Sequence, residues 1–290
     1  MRIVTQFQNF MSAHTLFIES ALREDVGPGD FSSLASIDAA AKGKAVLKVK
    51  ESGVLAGLDL AREIFLFLEP SAIFNAFMQD GDRMNAGDIA FEVTAGIHTI
   101  LKAERLALNC MQRMSGIATL TREYVELLSG YKTKILDTRK TTPLFRYYEK
   151  LAVHIGGGMN HRMGLYDMIM LKDNHIDFCG GITKAVQKTN QYLKERGLDL
   201  QIEVETRNLS DVEEVLAVGG IHRIMLDNFT PEETSKAVRL IGGRYETEAS
   251  GGINKSNVVD YARAGVDYVS VGAIIHHAVS LDLSLKAQLQ

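Results

Sequence analysis

At 290 residues the chain is long enough for two domains of ordinary size, or for one barrel with an elaboration, around a large buried core. Its 46% hydrophobic and 23% charged residues, with only 4 Pro, describe a globular composition and argue against disorder and low-complexity linkers. A formal net charge of -4 and a pI of about 6.1 argue against nucleic acid as a partner, since no net basic field gathers counterions for release; any basic site has to be local.

In chain order, residues 1–20 (MRIVTQFQNFMSAHTLFIES) are interrupted by Gln, Asn, Ser and His and lack the continuous apolar stretch of a signal peptide. No later run approaches membrane-spanning length, so a cytoplasmic protein without a membrane role is expected. From about 43 to 94 apolar residues alternate, with Ala45, Leu47 and Val49 on one side of GKAVLKVKESGVLAG, and AIFNAFM and DIAFEV around the turn-rich DGDRMNAGD. The pattern predicts a small sheet domain with a helix over 58–68, followed by a long helix over roughly 97–128. Cys110 and Cys179 fall in no Cys-x-x-Cys or Cys/His spacing and read as small buried hydrophobes in a reducing compartment.

Beyond about residue 133, short apolar runs alternate with helical segments: TKILDT, LAVHIGG, DMIMLKD, LQIEVET, RIMLDN, YETEASGG and YVSVGA. Thr230-Pro231-Glu232-Glu233 is a helix start, with Thr as cap, Pro in the first turn and Glu233 completing a capping box. The rhythm predicts a parallel sheet covered on both faces. About seven strands, with no G-x-G-x-x-G opening the first unit, favour a closed or nearly closed barrel over an open doubly wound sheet.

In such a barrel all strand C-termini open on one face, and here nearly every run ends in a polar group. These are Asp137 with Arg139 and Lys140, His161 with Arg162, Lys172 with Asp173, Glu205, Asp227 with Asn228, Ser250-Gly251-Gly252, and Gly272. Any one of them reads as a surface charge or a cap. Together they collect basic groups and two isolated carboxylates on one rim, which suits a multiply charged anion beside a hydroxyl-rich or metal-bearing group. GGGMNHR (156–162) and SGGI (250–253) bring backbone N–H groups close to a ligand, and SGGI is expected to lead directly into a helix.

Lys172 also admits a Schiff-base role, which would make the protein an aldolase, but Arg139, Lys140 and Arg162 are more cations than one carbonyl needs. His154, His161 and His175 show no metal-ligand spacing: His154 reads as a structural histidine in an apolar run, His175 as a group that orients a neighbour, and His161 as a ligand contact.

The motifs EDVGPGD (24–30), AERLALNCMQRMSGIAT (103–119), DTRKTTP (137–143), GGGMNHRMGLYD (156–167), LKDNH (171–175), EVE (203–205), MLDN (225–228) and SGG (250–252) together resemble the quinolinate phosphoribosyltransferases, or nicotinate-nucleotide pyrophosphorylases, over nearly the whole chain. The resemblance implies an α/β fold with an N-terminal α/β sandwich domain over 1–114, onto which the tail 275–290 packs back, and a C-terminal, incomplete TIM-like α/β barrel of about seven strands over 115–274. It implies conversion of quinolinate and phosphoribosyl pyrophosphate into nicotinate mononucleotide, CO2 and pyrophosphate, with Mg²⁺, in a homodimer or a higher oligomer with shared sites. Rival readings are a paralogue acting on nicotinate or another planar acid and a non-catalytic phosphate-ligand sensor; retention of Arg105, Arg139, Arg162 and Lys172 opposes the first, and Glu205 with Asp227 the second.

Residue by residue, the resemblance assigns Arg139, His161, Arg162 and Lys172 to the two carboxylates of quinolinate, with Arg105 supplied by the neighbouring subunit. It places Lys140 near the pyrophosphate, Thr141 in the same segment, and Glu205 and Asp227 near the ribose hydroxyls and Mg²⁺. Ser250, Gly251 and Gly252, with Gly272, Ala273 and Ile274, match the 5′-phosphate loops. Lys140, Lys172, Glu205 and Asp227 are the expected catalytic groups. The sequence departs from the family pattern at Leu144-Phe145-Arg146, where many relatives have a glycine, and at GAIIHHA, where a G-x-L-T-H-S-like run is usual. Backbone amides, with His276 or His277, are expected to take over there.

Overall fold

A computed structural model of the chain describes the backbone of residues 2–288 and the side chains of residues 14–288. The chain divides into two compact units, one made of Met1–Thr119 with Ala278–Gln290 and the other of Leu120–His277.

The first unit opens with helices α1 (Arg2–Val26) and α2 (Phe31–Ser36) and continues through strands β1 (Lys42–Val49) and β2 (Gly53–Val54), helix α3 (Leu58–Leu68), β3 (Ile73–Ala76), β4 (Arg83–Met84), β5 (Ile89–Gly96) and the long helix α4 (Ile97–Leu127). The helices over 58–68 and near 97–128 form as their periodicity requires. Leu58, Ala61, Ile64 and Phe65 recur at helical spacing and are buried. β5 pairs antiparallel with both β1 and β3, and the C-terminal strand Leu283–Gln288 adds to the free side of β1. β1 is therefore an interior strand, and Val46 is buried as well as Ala45, Leu47 and Val49. Phe74 stacks on Phe91 at 4.4 Å between ring centroids, with Phe65 packed against both. Gly116 admits no side chain, because a Cβ there would overlap the Val279 carbonyl of the C-terminal segment.

The second unit is a parallel barrel. β6 (Lys134–Leu136) is followed by α5 (Arg146–Ile155), β7 (Ile169–Leu171), α6 (Asp173–Cys179), α7 (Ile182–Arg196), β8 (Ile202–Thr206), α8 (Leu209–Val218), β9 (Arg223–Asp227), α9 (Pro231–Ile241), β10 (Glu246–Ser250), α10 (Val258–Ala264), β11 (Tyr268–Ser270) and α11 (Ala273–His276). Six strands pair in the order β6-β11-β10-β9-β8-β7, and Met159 adds a single parallel bridge to Leu136 on the outer side of β6. The incomplete α/β barrel expected from the sequence is present, with its seventh strand reduced to that bridge.

Three local expectations are corrected. LAVHIGG is not a strand but the end of α5, whose buried face runs through Tyr148, Ala152 and Val153; the pattern is masked because Glu149 and Lys150 are buried too. His154 on that helix is exposed, not part of the core. SGGI does not open a helix, since α10 begins only at Val258 after an Asn254–Asn257 turn. The start of α9 is as expected, with Thr230 and Glu233 closing a capping box and Pro231 in the first turn.

Candidate active site

Side chains two apart on a strand share a face. On the inner face of the barrel this puts Lys172, Glu205, Asp227, Ser250 and Gly272 at the strand ends, and Met170, Glu203, Met225, Glu248 and Ser270 one step below them. All of these but Glu203 line a cavity of about 920 Å³, together with Arg139, Lys140, His161, Arg162, Gly251, Gly252, Ala273, His276 and His277. The parallel register carries the arrangement: Glu205 sits opposite Met225, Met225 opposite Glu248, and Asp227 opposite Ser250.

The cavity has two chemically distinct sides. On one, Arg162 is buried, donating from Nη1 to the Met168 carbonyl at 3.2 Å. Loss of hydration, then the charge of Arg139, holds its pKa below the usual arginine range. The loop after it is closed by Asp167, which accepts the N–H groups of Met163 at 2.6 Å and Gly164 at 2.8 Å. Lys172 Nζ lies 3.5 Å from Glu205 Oε2, and its side chain is half exposed, so it is not the desolvated amine that imine chemistry requires. His175 Nδ1 accepts the Lys172 N–H at 3.1 Å and so orients that neighbour.

On the other side are glycine turns. Gly251 has φ +95°, and a Cβ there would overlap the Asn228 carboxamide; Asn228 is itself left-handed at φ 57° and donates its N–H to the Ser250 carbonyl at 2.8 Å. Next to Gly272 lie Lys140 and His276, each 3.1 Å from where a Cβ would stand. Burial, then the charges of His277 and Lys140, keeps the His276 pKa below its ordinary value. Between the two sides stand Glu205, buried, and Asp227, half-buried, whose Oδ2 accepts from Asn228 Nδ2 at 2.7 Å.

Thr141, Ile274 and Arg105 are not among the cavity residues. The Thr141 hydroxyl accepts from Arg146 Nε at 2.9 Å, the Ile274 side chain is fully enclosed, and Arg105 is exposed on α4 within the first unit. Asp137 is not a rim charge. It is fully buried and ion-paired with Lys150, and it accepts from Asn160 Nδ2 at 2.7 Å and the His161 N–H at 2.9 Å. Leu144, in the segment that departs from the family pattern, has φ 63° and is 95% exposed. The turn thus keeps the left-handed conformation that glycine suits.

His161 is tied up within the protein. Nδ1 accepts the Arg162 N–H at 2.6 Å, while Nε2 faces Glu203 Oε2 at 2.9 Å and Glu248 Oε2 at 3.4 Å. Burial works to lower the imidazole pKa, but hydrogen bonds to the two carboxylates outweigh it and bring it up to about 9. Burial and the Glu248 charge push Glu203 up to about 7. A ring that accepts the Arg162 N–H at Nδ1 carries its one proton on Nε2, and full protonation of the imidazole would break that bond; in either state an Nε2–H faces the two carboxylates. Sequence reasoning assigned no role to Glu203, Glu248 or Arg223. Their spacing two residues below Glu205 and Ser250 and four below Asp227 was the available signal.

Family models describe the same two-part chain: "Quinolinate phosphoribosyl transferase, N-terminal domain" matches residues 30–115 and "Quinolinate phosphoribosyl transferase, C-terminal domain" matches residues 117–286. Quinolinate phosphoribosyltransferase (decarboxylating) 1b of Nicotiana tabacum is 43% identical over 284 residues, covering 93% of this chain and 81% of the relative. The probable nicotinate-nucleotide pyrophosphorylase (carboxylating) of Synechocystis is 41% identical over 273 residues, covering 93% and 91%. Among solved structures, NadC from Streptococcus pyogenes superposes with a TM-score of 0.88 at 42% identity, covering 93% of this chain and 94% of that one. The nicotinate-nucleotide pyrophosphorylase from Francisella tularensis superposes with a TM-score of 0.89 at 38% identity, covering 96% of each. Two family models spanning most of the chain, relatives above 40% identity and a barrel mouth furnished with cations, glycine turns and paired acids agree: the chain belongs to the quinolinate phosphoribosyltransferase family.

Proposed function

We propose that the chain transfers the phosphoribosyl group of phosphoribosyl pyrophosphate to the ring nitrogen of quinolinate, forming nicotinate mononucleotide, CO2 and pyrophosphate in NAD biosynthesis. The observation that carries this reading is the division of one cavity into an arginine and lysine side (Arg139, Arg162, Lys172) suited to a planar dicarboxylate and a glycine-turn side (Ser250, Gly251, Gly252, Gly272, Ala273) suited to a phosphate. Glu205 and Asp227 lie between them.

The ring nitrogen donates its lone pair to ribose C1 as the C1–O bond breaks and pyrophosphate leaves with the bonding pair. Lys140, beside Gly272, balances the charge gathering on the leaving group. Glu205 and Asp227 hold the ribose hydroxyls and favour the positive charge developing on the sugar. The pyridinium then accepts the electron pair of the adjacent C–CO2 bond, CO2 departs and the ring carbon takes a proton. Arg139 and Lys172 hold the ring with that carboxylate correctly oriented.

Two hard carboxylate donors at neighbouring strand ends fit Mg²⁺, which binds through one or two carboxylates plus substrate phosphates. Glu205 and Asp227 are the residues that would hold it, directly or through water, and the ion would neutralise pyrophosphate charge.

The proposal includes a homodimer in which Arg105 of one copy reaches the cavity of the other. Its support is the exposed position of Arg105 on α4 and its match to the family motif. A cytoplasmic setting is also proposed. Cys110 and Cys179 are both unpaired, and no helix among the described residues is long and apolar enough to cross a membrane.

The test is incubation with phosphoribosyl pyrophosphate, Mg²⁺ and either quinolinate or nicotinate, measuring CO2 and pyrophosphate. Stoichiometric release of both from quinolinate is expected; product from nicotinate alone overturns the reading.

A further inference from the structure

Glu203, beneath the cavity floor, and Glu248, in that floor, have no part in the chemistry above, yet they are among the most enclosed charges of the barrel. Glu203 on β8 and Glu248 on β10 have fully buried side chains. Arg223, on the intervening β9, donates to Glu248 Oε2 at 3.0 Å and to Glu246 Oε2 at 2.9 Å, with its guanidinium 4.2 Å from the centre of the Tyr268 ring. One arginine shared among three carboxylates leaves negative charge facing the cavity, and among the described residues Glu203 Oε1 has no hydrogen-bond partner. A buried acid pair under a site for anions opposes binding unless something stands between them.

His161 stands there. Its Nε2 faces both acids, its Nδ1 receives the Arg162 main-chain N–H, and its own main chain is clamped by Asp137 on N–H and by Lys150 Nζ on the carbonyl at 2.9 Å. The ring is thus a fixed strut between the acids and the arginine that faces the cavity. We propose that Glu203 and Glu248 are positioning residues for the dicarboxylate substrate: they orient His161, and through its Nδ1 they fix the main chain from which the Arg162 guanidinium reaches the cavity. A divalent ion on the same three residues is the competing use of this geometry, but Arg223 already pairs with Glu248, and the His161 Nε2–H occupies the position facing both carboxylates.

The inference rests on the phosphoribosyl-transfer reading, and its test keeps the two apart. If wild-type protein binds no quinolinate and forms no product, that reading fails whatever these residues do. If it is active, Glu203→Gln and Glu248→Gln, which keep size and an acceptor oxygen, should each weaken quinolinate binding about tenfold by calorimetry and raise its KM alike, with the KM for phosphoribosyl pyrophosphate moving less than about twofold. In an Arg162→Lys background the Glu203→Gln penalty should shrink below about twofold. Equal effects on both substrates, or full additivity with Arg162→Lys, would show a merely structural role. The nitrogen-15 spectrum of His161 in unaltered protein is the second measurement: a proton on Nε2 and a lone pair on Nδ1 are expected. A proton on Nδ1 that persists above pH 9, or loss of the Nε2 proton signal on adding zinc, overturns the proposal.

Discussion

Lys150 and Asp137 pair inside the barrel with both side chains fully enclosed, and the Asp137 oxygen that meets Lys150 also receives the His161 N–H. Burial pushes the Asp137 carboxyl up and the Lys150 ammonium down, against their mutual attraction. Removing one partner strands the other: Asp137→Ala is expected to cost about 3–5 kcal/mol in urea unfolding. The double replacement Asp137→Leu with Lys150→Met should recover most of that stability while leaving the His161 segment misplaced and activity low.

Arg139→Ala and Lys172→Ala each remove a cation from the side of the cavity proposed to hold the substrate carboxylates. Loss of a charge-assisted contact to substrate should lower kcat/KM for quinolinate at least about tenfold, with the fold intact by circular dichroism. An unchanged kcat/KM in either variant would remove that residue from the site.

Gly251→Ala forces an L side chain to φ +95° and against the Asn228 carboxamide. The left-handed strain alone is about 1–2 kcal/mol. The turn should shift away from the substrate phosphate, raising the KM for phosphoribosyl pyrophosphate about tenfold or more while quinolinate binding alone is retained.

Arg105→Ala and Asp227→Ala are each expected to be inactive as pure proteins. If the cavity is completed by a second copy, mixing the two should restore up to about a quarter of wild-type activity, because one of the two sites in each mixed dimer is then intact. Mixtures that stay inactive after subunit exchange would place Arg105 outside the site.

Burial pushes the Asp80 carboxyl up to about 6 from 3.8, against the Leu58 N–H it accepts at 2.9 Å. The folded state therefore holds this proton more tightly than the unfolded chain, and its ionisation destabilises the fold fully above pH 6 and progressively less as pH falls toward 4. Asp80→Asn keeps an acceptor for Leu58. It should be more stable than wild type at pH 8 in thermal unfolding, and the difference should shrink by pH 5.

Much of this protein is written locally. The helix over 58–68, the capping box at Thr230 and the placement of Lys172, Glu205, Asp227 and Ser250 at strand ends follow from periodicity and cap chemistry, which depend on neighbours a few residues away. Motifs in order along the chain were enough to reach the family and, with it, the cations of the cavity.

Tertiary contacts decided the rest. The run LAVHIGG reads as a strand because the helix it ends, Arg146–Ile155, has a buried face that includes Glu149 and Lys150, charges that become tolerable inside only once Thr142 and Asp137 are brought to them. Asp137 and Lys140 are equally polar in the sequence; one is sealed within the barrel and the other stands at its mouth. Nothing local distinguishes Glu203 from Glu205 either. They share a face of β8, and only closure of the barrel around His161 and Arg223 makes one a buried partner and leaves the other open to the cavity, because desolvation is set by what surrounds a group in space.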